Sequence, residues 1–219
     1  MKLVLENISK KIKNKVILDN ISIEFENSKI YGFVGRNGSG KTMLFRAICG
    51  LMKLDSGRIL LDDKVLYKDM DILPNTGIII ENAGLYSEYT GLKNLQLLAN
   101  INKKIGEDEV REALTRVGLD PDDKRTVRKY SLGMKQRLII AQAIMEKPDI
   151  ILLDEPTNAL DENGVEEIRN IIQDERKRGA IILIASHNKE DIKLLSDKVF
   201  YMENGCIVKK EENEKEKNI

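Results

Sequence analysis

The octapeptide Gly35-Arg36-Asn37-Gly38-Ser39-Gly40-Lys41-Thr42 restricts this chain more than any other stretch, because it satisfies G-x-x-x-x-G-K-[ST] at every specified position. It follows the apolar run Ile30 to Val34, which reads as a buried strand. It opens a segment from Thr42 to Cys49 that reads as a helix. Strand, loop and helix in that order make a cradle for phosphate. The glycines let the backbone wrap closely round an anion, and the helix start adds free N–H groups and partial positive charge. In that geometry the Lys41 ammonium reaches the β- and γ-phosphates of a nucleotide, and the Thr42 hydroxyl is a ligand for Mg²⁺.

Three other stretches carry chemistry. Ile150-Ile151-Leu152-Leu153-Asp154-Glu155-Pro156 is an apolar strand ending in two carboxylates. Beside a phosphate loop, Asp154 is the expected Mg²⁺ ligand, and Glu155 is placed to orient an attacking water or accept its proton. Ser186-His187 ends the apolar run Ala180 to Ala185, and His187, the single histidine, is expected at the γ-phosphate. In Tyr130 to Arg137, Ser131 is an N-cap candidate whose hydroxyl and neighbouring free N–H groups form a second, weaker anion site.

Around these motifs the pattern is α/β. Leu3, Leu5, Ile8, Val16 to Leu18 and Asn20 to Phe25 predict a small antiparallel sheet ahead of the loop. Arg58 to Leu61 and Gly77 to Glu81 predict strands. A block at about 85–145 is helical. Within it Leu92, Leu95, Leu98 and Ile101 follow a Thr90 cap, Val110, Ala113, Leu114 and Val117 give i, i+3, i+4, i+7, and a third helix runs from about Gly133 to Glu146. The sheet then resumes. Gly164 to Arg178 is an amphipathic helix closed by Gly179, Lys189 to Leu195 a short helix, and Glu203-Asn204-Gly205 a hairpin turn. The predicted organisation is one domain over 1–219: a mainly parallel core at about 1–84 and 146–210, an inserted helical subdomain at about 85–145, and a disordered tail at 211–219.

Composition narrows the partners. Among 219 residues, 36 basic and 36 acidic side chains cancel, so no basic footprint argues for nucleic acid. Cys49 and Cys206 read as buried, reduced thiols of a cytosolic protein. Met1 to Ser9 lacks the apolar centre of a signal peptide, and no apolar stretch approaches the length of a membrane span. Action at a membrane would need another chain to supply the spanning part.

In their order and spacing these pieces resemble the nucleotide-binding subunit of an ABC transporter over about residues 1–210. The phosphate loop is similar to Walker A, Ile150 to Glu155 to Walker B, and Tyr130 to Met134 to the signature, usually Leu-Ser-Gly-Gly-Gln. Asn158 to Asp161 is similar to the D-loop and His187 to the switch histidine. The resemblance implies a P-loop ATPase fold that binds ATP and Mg²⁺ and forms a head-to-tail dimer, either a homodimer or a heterodimer with a related ATPase. Each ATP would lie between one subunit's Walker A and the other's Ser131, Leu132, Gly133 and Met134, with Asp161 nearby. An integral membrane permease would be the further partner, which implies a cytoplasmic protein peripheral on the inner face of the cell membrane.

Four departures mark the chain. Leu132 and Met134 stand where glycine and glutamine are usual. Ile12 stands where an aromatic usually stacks on adenine. Met43 follows Thr42 where a second hydroxyl is common and offers only its backbone N–H. Glu81 takes the place of the Q-loop glutamine, a metal-side position. Glu81 with Gly84-Leu85-Tyr86, Thr90-Gly91 and Tyr130 to Arg137 is similar to the ATPases of bacitracin-resistance and lantibiotic-immunity exporters. The resemblance thus implies ATP-driven export of a peptide antibiotic. The alternatives are an exporter or importer for another substrate and, less favoured, a non-transport ABC protein.

Overall fold

A computed structural model of the chain describes residues 1–80 and 84–212; Glu81 therefore lies outside the described residues. The first sheet is antiparallel. It contains β1 (Lys2–Ile12), β2 (Lys15–Glu26), β4 (Ser56–Leu61) and β5 (Lys64–Val65) in the order β2-β1-β4-β5. The second contains β3 (Lys29–Val34), β6 (Thr76–Ile79), β7 (Ile150–Asp154), β8 (Ile181–Ser186), β9 (Lys198–Glu203) and β10 (Cys206–Glu212). Its order is β10-β9-β3-β8-β7-β6, parallel except for the edge pair β9–β10.

Strands β7 and β8 are near-continuous apolar runs because both faces of the sheet are covered. Ile151, Leu153, Ile182 and Ile184 join one core. It is shared with α2 (Gly91–Asn102), α3 (Glu107–Arg116), α4 (Leu132–Ile144), α5 (Glu162–Arg178) and α6 (Lys189–Leu195). Their alternates Ile150, Leu152, Ile181 and Leu183 join another with α1 (Lys41–Ile48) and the antiparallel sheet. The strand period of two divides the residues between the layers. Helix α4 lies so close on β6 that a Cβ at Gly77 would fall 1.9 Å from the Ala143 carbonyl oxygen. Buried Glu175 of α5 takes Arg116 of α3 at 2.9 Å and Arg178 at 2.7 Å, so its charge is doubly compensated.

Register positions the chemistry. Val34 pairs with Ser186, and Asp154 with Ala185, so β3, β7 and β8 end along one edge. In open α/β sheets that carboxyl edge is where ligands bind.

Three readings change. Ile101 is 74 % exposed: each three-residue step on a helix falls about 60° short of a full turn, so three steps from Leu92 carry the pattern to the opposite side. Glu211 and Glu212 are strand residues, paired with Val199 and Lys198, because the charged run Lys209 to Glu212 suits an exposed edge. Cys49 is buried but Cys206 is only half-buried, since it follows the turn at the start of that edge strand. Among the described residues, no helix is long and apolar enough to cross a membrane.

Candidate active site

The phosphate loop leaves the end of β3 and turns back through Gly38 (φ 80°) and Gly40 (φ 109°), left-handed conformations that favour glycine. Gly40 is the N-cap of α1, and no side chain caps that helix. Its first-turn N–H groups are thus the loop's own anion donors. Lys41 is buried. Its Nζ donates to the carbonyls of Gly35 at 2.6 Å and Arg36 at 3.4 Å, holding the ammonium over the loop with a third N–H to spare.

From the first turn of α1, Thr42 Oγ1 donates to Asp154 Oδ2 at the end of β7, at 2.5 Å. One residue on, Glu155 has a φ of 51°, a left-handed backbone that costs a non-glycine residue about 1–2 kcal/mol. Both its carboxylate oxygens are engaged. Oε2 accepts from Ser186 Oγ at 2.9 Å; Oε1 accepts from the His187 backbone N–H at 2.9 Å and lies 2.9 Å from His187 Nδ1. A carboxylate only accepts, so the ring contact is a hydrogen bond when Nδ1 carries the proton. The structure therefore brings together Gly35 to Met43, Asp154, Glu155 and His187. It adds Ser186, whose serine-histidine order at a strand end was the only sequence signal for its contact.

Two clefts flank the loop. One, of about 410 Å³, is lined by Lys15, Val16 and Ile17 of β2, by the loop through Met43, and by Asp154 and Glu155. The other, of about 610 Å³, is lined by Arg36, Asn37, His187, Lys189, Tyr201 and Asn204 among others. Ile12 is 42 % exposed at the hairpin end and lines neither cleft, whereas Val16 and Ile17 of β2 line the first. The turn at Asn204-Gly205 also reaches the site: the Gly205 N–H donates to the Ser39 carbonyl at 2.9 Å, and its own carbonyl accepts from Asp19 N–H at 2.9 Å. Its hairpin was legible in sequence, its location was not.

Ser131, Leu132, Gly133, Met134 and Asp161 do not line these clefts. Ser131 caps α4, its Oγ accepting from Met134 N–H at 3.1 Å, and Leu132 beside it is 72 % exposed. Asp161 caps α5 through Gly164 N–H at 3.0 Å.

The family model described as ABC transporter matches residues 18–158. The chain is 49 % identical over 201 residues to the uncharacterized ABC transporter ATP-binding protein YybJ of Bacillus subtilis, covering 92 % of each. It is 37 % identical to the bacitracin transport ATP-binding protein BcrA of Enterococcus faecalis, over 93 % of this chain and 67 % of that one. It is 33 % identical to the lantibiotic transport ATP-binding protein SrtF of Streptococcus pyogenes, over 99 % of this chain and 93 % of that one. Among solved structures, a dimeric ATP-binding cassette in a post-hydrolysis state bound to ADP and Pi superposes with a TM-score of 0.85 at 22 % identity, over 96 % of this chain and 98 % of that one, a likeness of fold. The chain belongs to the ABC transporter family as an ATP-binding, ATP-hydrolysing subunit.

Proposed function

We propose that the chain powers export of a peptide antibiotic of the bacitracin or lantibiotic kind through a separate integral membrane permease. The observation that carries this reading is the similarity to SrtF, over nearly the whole of both chains, and to BcrA, over 93 % of this chain and 67 % of that one, proteins named for lantibiotic and bacitracin transport. The stretches Gly84-Leu85-Tyr86 and Thr90-Gly91 support the same branch. The 49 % identity to YybJ, whose name carries no substrate, keeps transport of another substrate as the second reading.

In this reading the ATP phosphates lie on the N–H groups of the loop and of the start of α1, with Lys41 on the β- and γ-phosphates. Thr42 Oγ1 and Asp154 Oδ2 are adjacent hard oxygen donors that fit Mg²⁺. When bound, that ion neutralises phosphate charge. Glu155 orients the attacking water and takes its proton as the γ-phosphoryl group passes to water and ADP leaves. His187 holds Glu155 and meets the γ-phosphate. Val16 and Ile17 offer aliphatic contact to the base without an aromatic face.

Ser131 and Gly133 act on the ATP of a second subunit, either another copy or a related ATPase, which explains why they stand outside their own clefts. Closure of that pair drives the permease from the cytoplasmic face, and no nucleic acid takes part. Glu81 takes the metal-side role that its Q-loop place in the sequence implies.

The test is protection. The chain is expressed with the permease encoded beside it in a sensitive strain, and the inhibitory concentrations of bacitracin and of a lantibiotic are measured. A rise that disappears with Glu155→Gln is expected. No rise, with ATPase activity intact, rejects the antibiotic and leaves the second reading.

A further inference from the structure

One side chain of the signature helix touches the segment that carries the catalytic carboxylate. Gln136 lies one turn into α4, and its Nε2 donates to the Pro156 carbonyl at 2.9 Å and, more weakly, to the Glu155 carbonyl at 3.4 Å. Both partners are carbonyl oxygens, so only the amide NH₂ can face them. The contact is partly buried, where such bonds are less exposed to competition from water.

The segment it holds is strained. Between β7 and α5, Glu155 (φ 51°) and Ala159 (φ 64°) both adopt left-handed backbone without being glycine. Such conformations persist where the surroundings over-determine them. The surroundings here come from two directions. Strand β8 supplies the Ala185 carbonyl to Glu155 N–H at 2.8 Å and Ser186 to the carboxylate at 2.9 Å. Helix α4 supplies Gln136 and, at its first turn, Gly133, where an added Cβ would sit 3.1 Å from the Ala159 carbonyl oxygen and 3.7 Å from Leu160 Cδ2. The start of α4 thus rests against this segment near both of its strained residues.

From this we infer that Gln136 is a positioning residue that couples the two ATP sites of the dimer. The inference rests on the two-subunit reading above. When Ser131 and Gly133 of one subunit engage the ATP held by the other, α4 is fixed relative to its own core. Gln136 passes that to the backbone of Glu155, which serves the subunit's own ATP. Occupation of one site then sets the carboxylate at the other, and hydrolysis is cooperative in ATP. Gln136 lines neither cleft beside the phosphate loop and acts through the backbone that it holds.

The experiment uses the full chain with Gln136→Leu, which keeps bulk and loses the donors, and Gln136→Glu, which keeps shape and turns acceptors toward the two carbonyls. Displacing a catalytic group by about 1 Å costs on the order of 10²-fold. Turnover at saturating ATP is expected to fall roughly 10- to 100-fold in both variants. The Hill coefficient should drop from above 1 in the wild type to about 1. Affinity of the single subunit for a fluorescent ATP analogue without Mg²⁺ is expected to stay within about twofold, which also shows that the variants are folded. A fall in affinity equal to the fall in turnover, a wild-type Hill coefficient of 1, or wild-type cooperativity in both variants overturns the inference. ATP-dependent dimerisation is measured alongside in Glu155→Gln alone. Its absence rejects the two-subunit reading itself, whereas dimerisation with undisturbed cooperativity in the Gln136 variants rejects only the coupling.

Discussion

The proposed function gives phosphate to two helix starts, and they are built differently. At α1 the N-cap is Gly40, in left-handed backbone, with no side-chain cap, and Lys41, Thr42 and Asp154 gather round it from the same chain. At α4 the N-cap is Ser131, whose hydroxyl already accepts the Met134 N–H, and its neighbour Leu132 projects into solvent. The first is a complete phosphate site. The second is an ordinary capped helix start that acquires a phosphate only if another surface brings one. The dipole and free N–H groups are common to both. What separates them is whether the chain supplies cation, metal ligands and carboxylate at the same place. That difference is the physical reason for reading the chain as half of a two-subunit enzyme.

Four measurements strain this comparison, from the largest expected effect to the smallest. Glu155→Gln keeps the shape and one of the two accepting oxygens but removes the basic carboxylate at the complete site. Hydrolysis is expected to fall by roughly 10²-fold or more, with ATP binding kept and an ATP-bound dimer accumulating in light scattering. Turnover near that of the wild type would show that the complete site works through another group.

Lys41→Ala removes the buried ammonium. Hydrogen bonds to charged groups contribute about 1.5–3 kcal/mol each, so affinity is expected to fall roughly 10- to 100-fold. Calorimetry with ATP measures it, and unchanged affinity would remove the distinction between the two helix starts.

Ser131→Ala should sharpen the contrast by acting at only one of them. Turnover drops by about tenfold, as expected for one lost bond to a charged group, while the affinity of the single subunit holds. Loss of the cap itself costs about 1 kcal/mol of stability, read as a small fall in melting temperature. If single-subunit affinity falls with turnover, Ser131 serves its own ATP and the division of labour is wrong.

The smallest effect is at the base, which neither helix start touches. Val16→Tyr places an aromatic ring along the cleft beside the phosphate loop and is expected to add about 1 kcal/mol to nucleotide binding, at the low end for base–aromatic stacking. Ile12→Tyr, set at the hairpin end, is expected to add less. Equal gains at both positions would mean that the base reaches beyond the cleft.

Much of the fold was open to sequence reasoning where the signal is local. Glycine-lysine-threonine spacing, unbroken apolar strands, Thr90 and Ser131 as caps and Gly179 as a helix stop each follow from neighbours a few residues away. Where periodicity was stretched over several turns, as at Ile101, it drifted off the buried face. The tail was misjudged at Glu211 and Glu212 because charged residues suit an exposed edge strand as well as disorder.

The sequence by itself determined that a strand, a glycine loop and a helix would cradle phosphate, and that two carboxylates and a histidine would stand at strand ends. Those properties are written in contiguous residues. Only the tertiary structure decided that β3, β8 and β7 lie side by side, which sets Thr42 2.5 Å from Asp154 and engages both oxygens of Glu155 with Ser186 and His187. It alone set Val16 and Ile17 rather than Ile12 along the cleft, seated the Gly205 turn on the loop, and laid Gln136 against Pro156. Strand order and helix seating come from burying both faces of one sheet at once. That balance involves residues far apart in the chain, and no short stretch of it carries the answer.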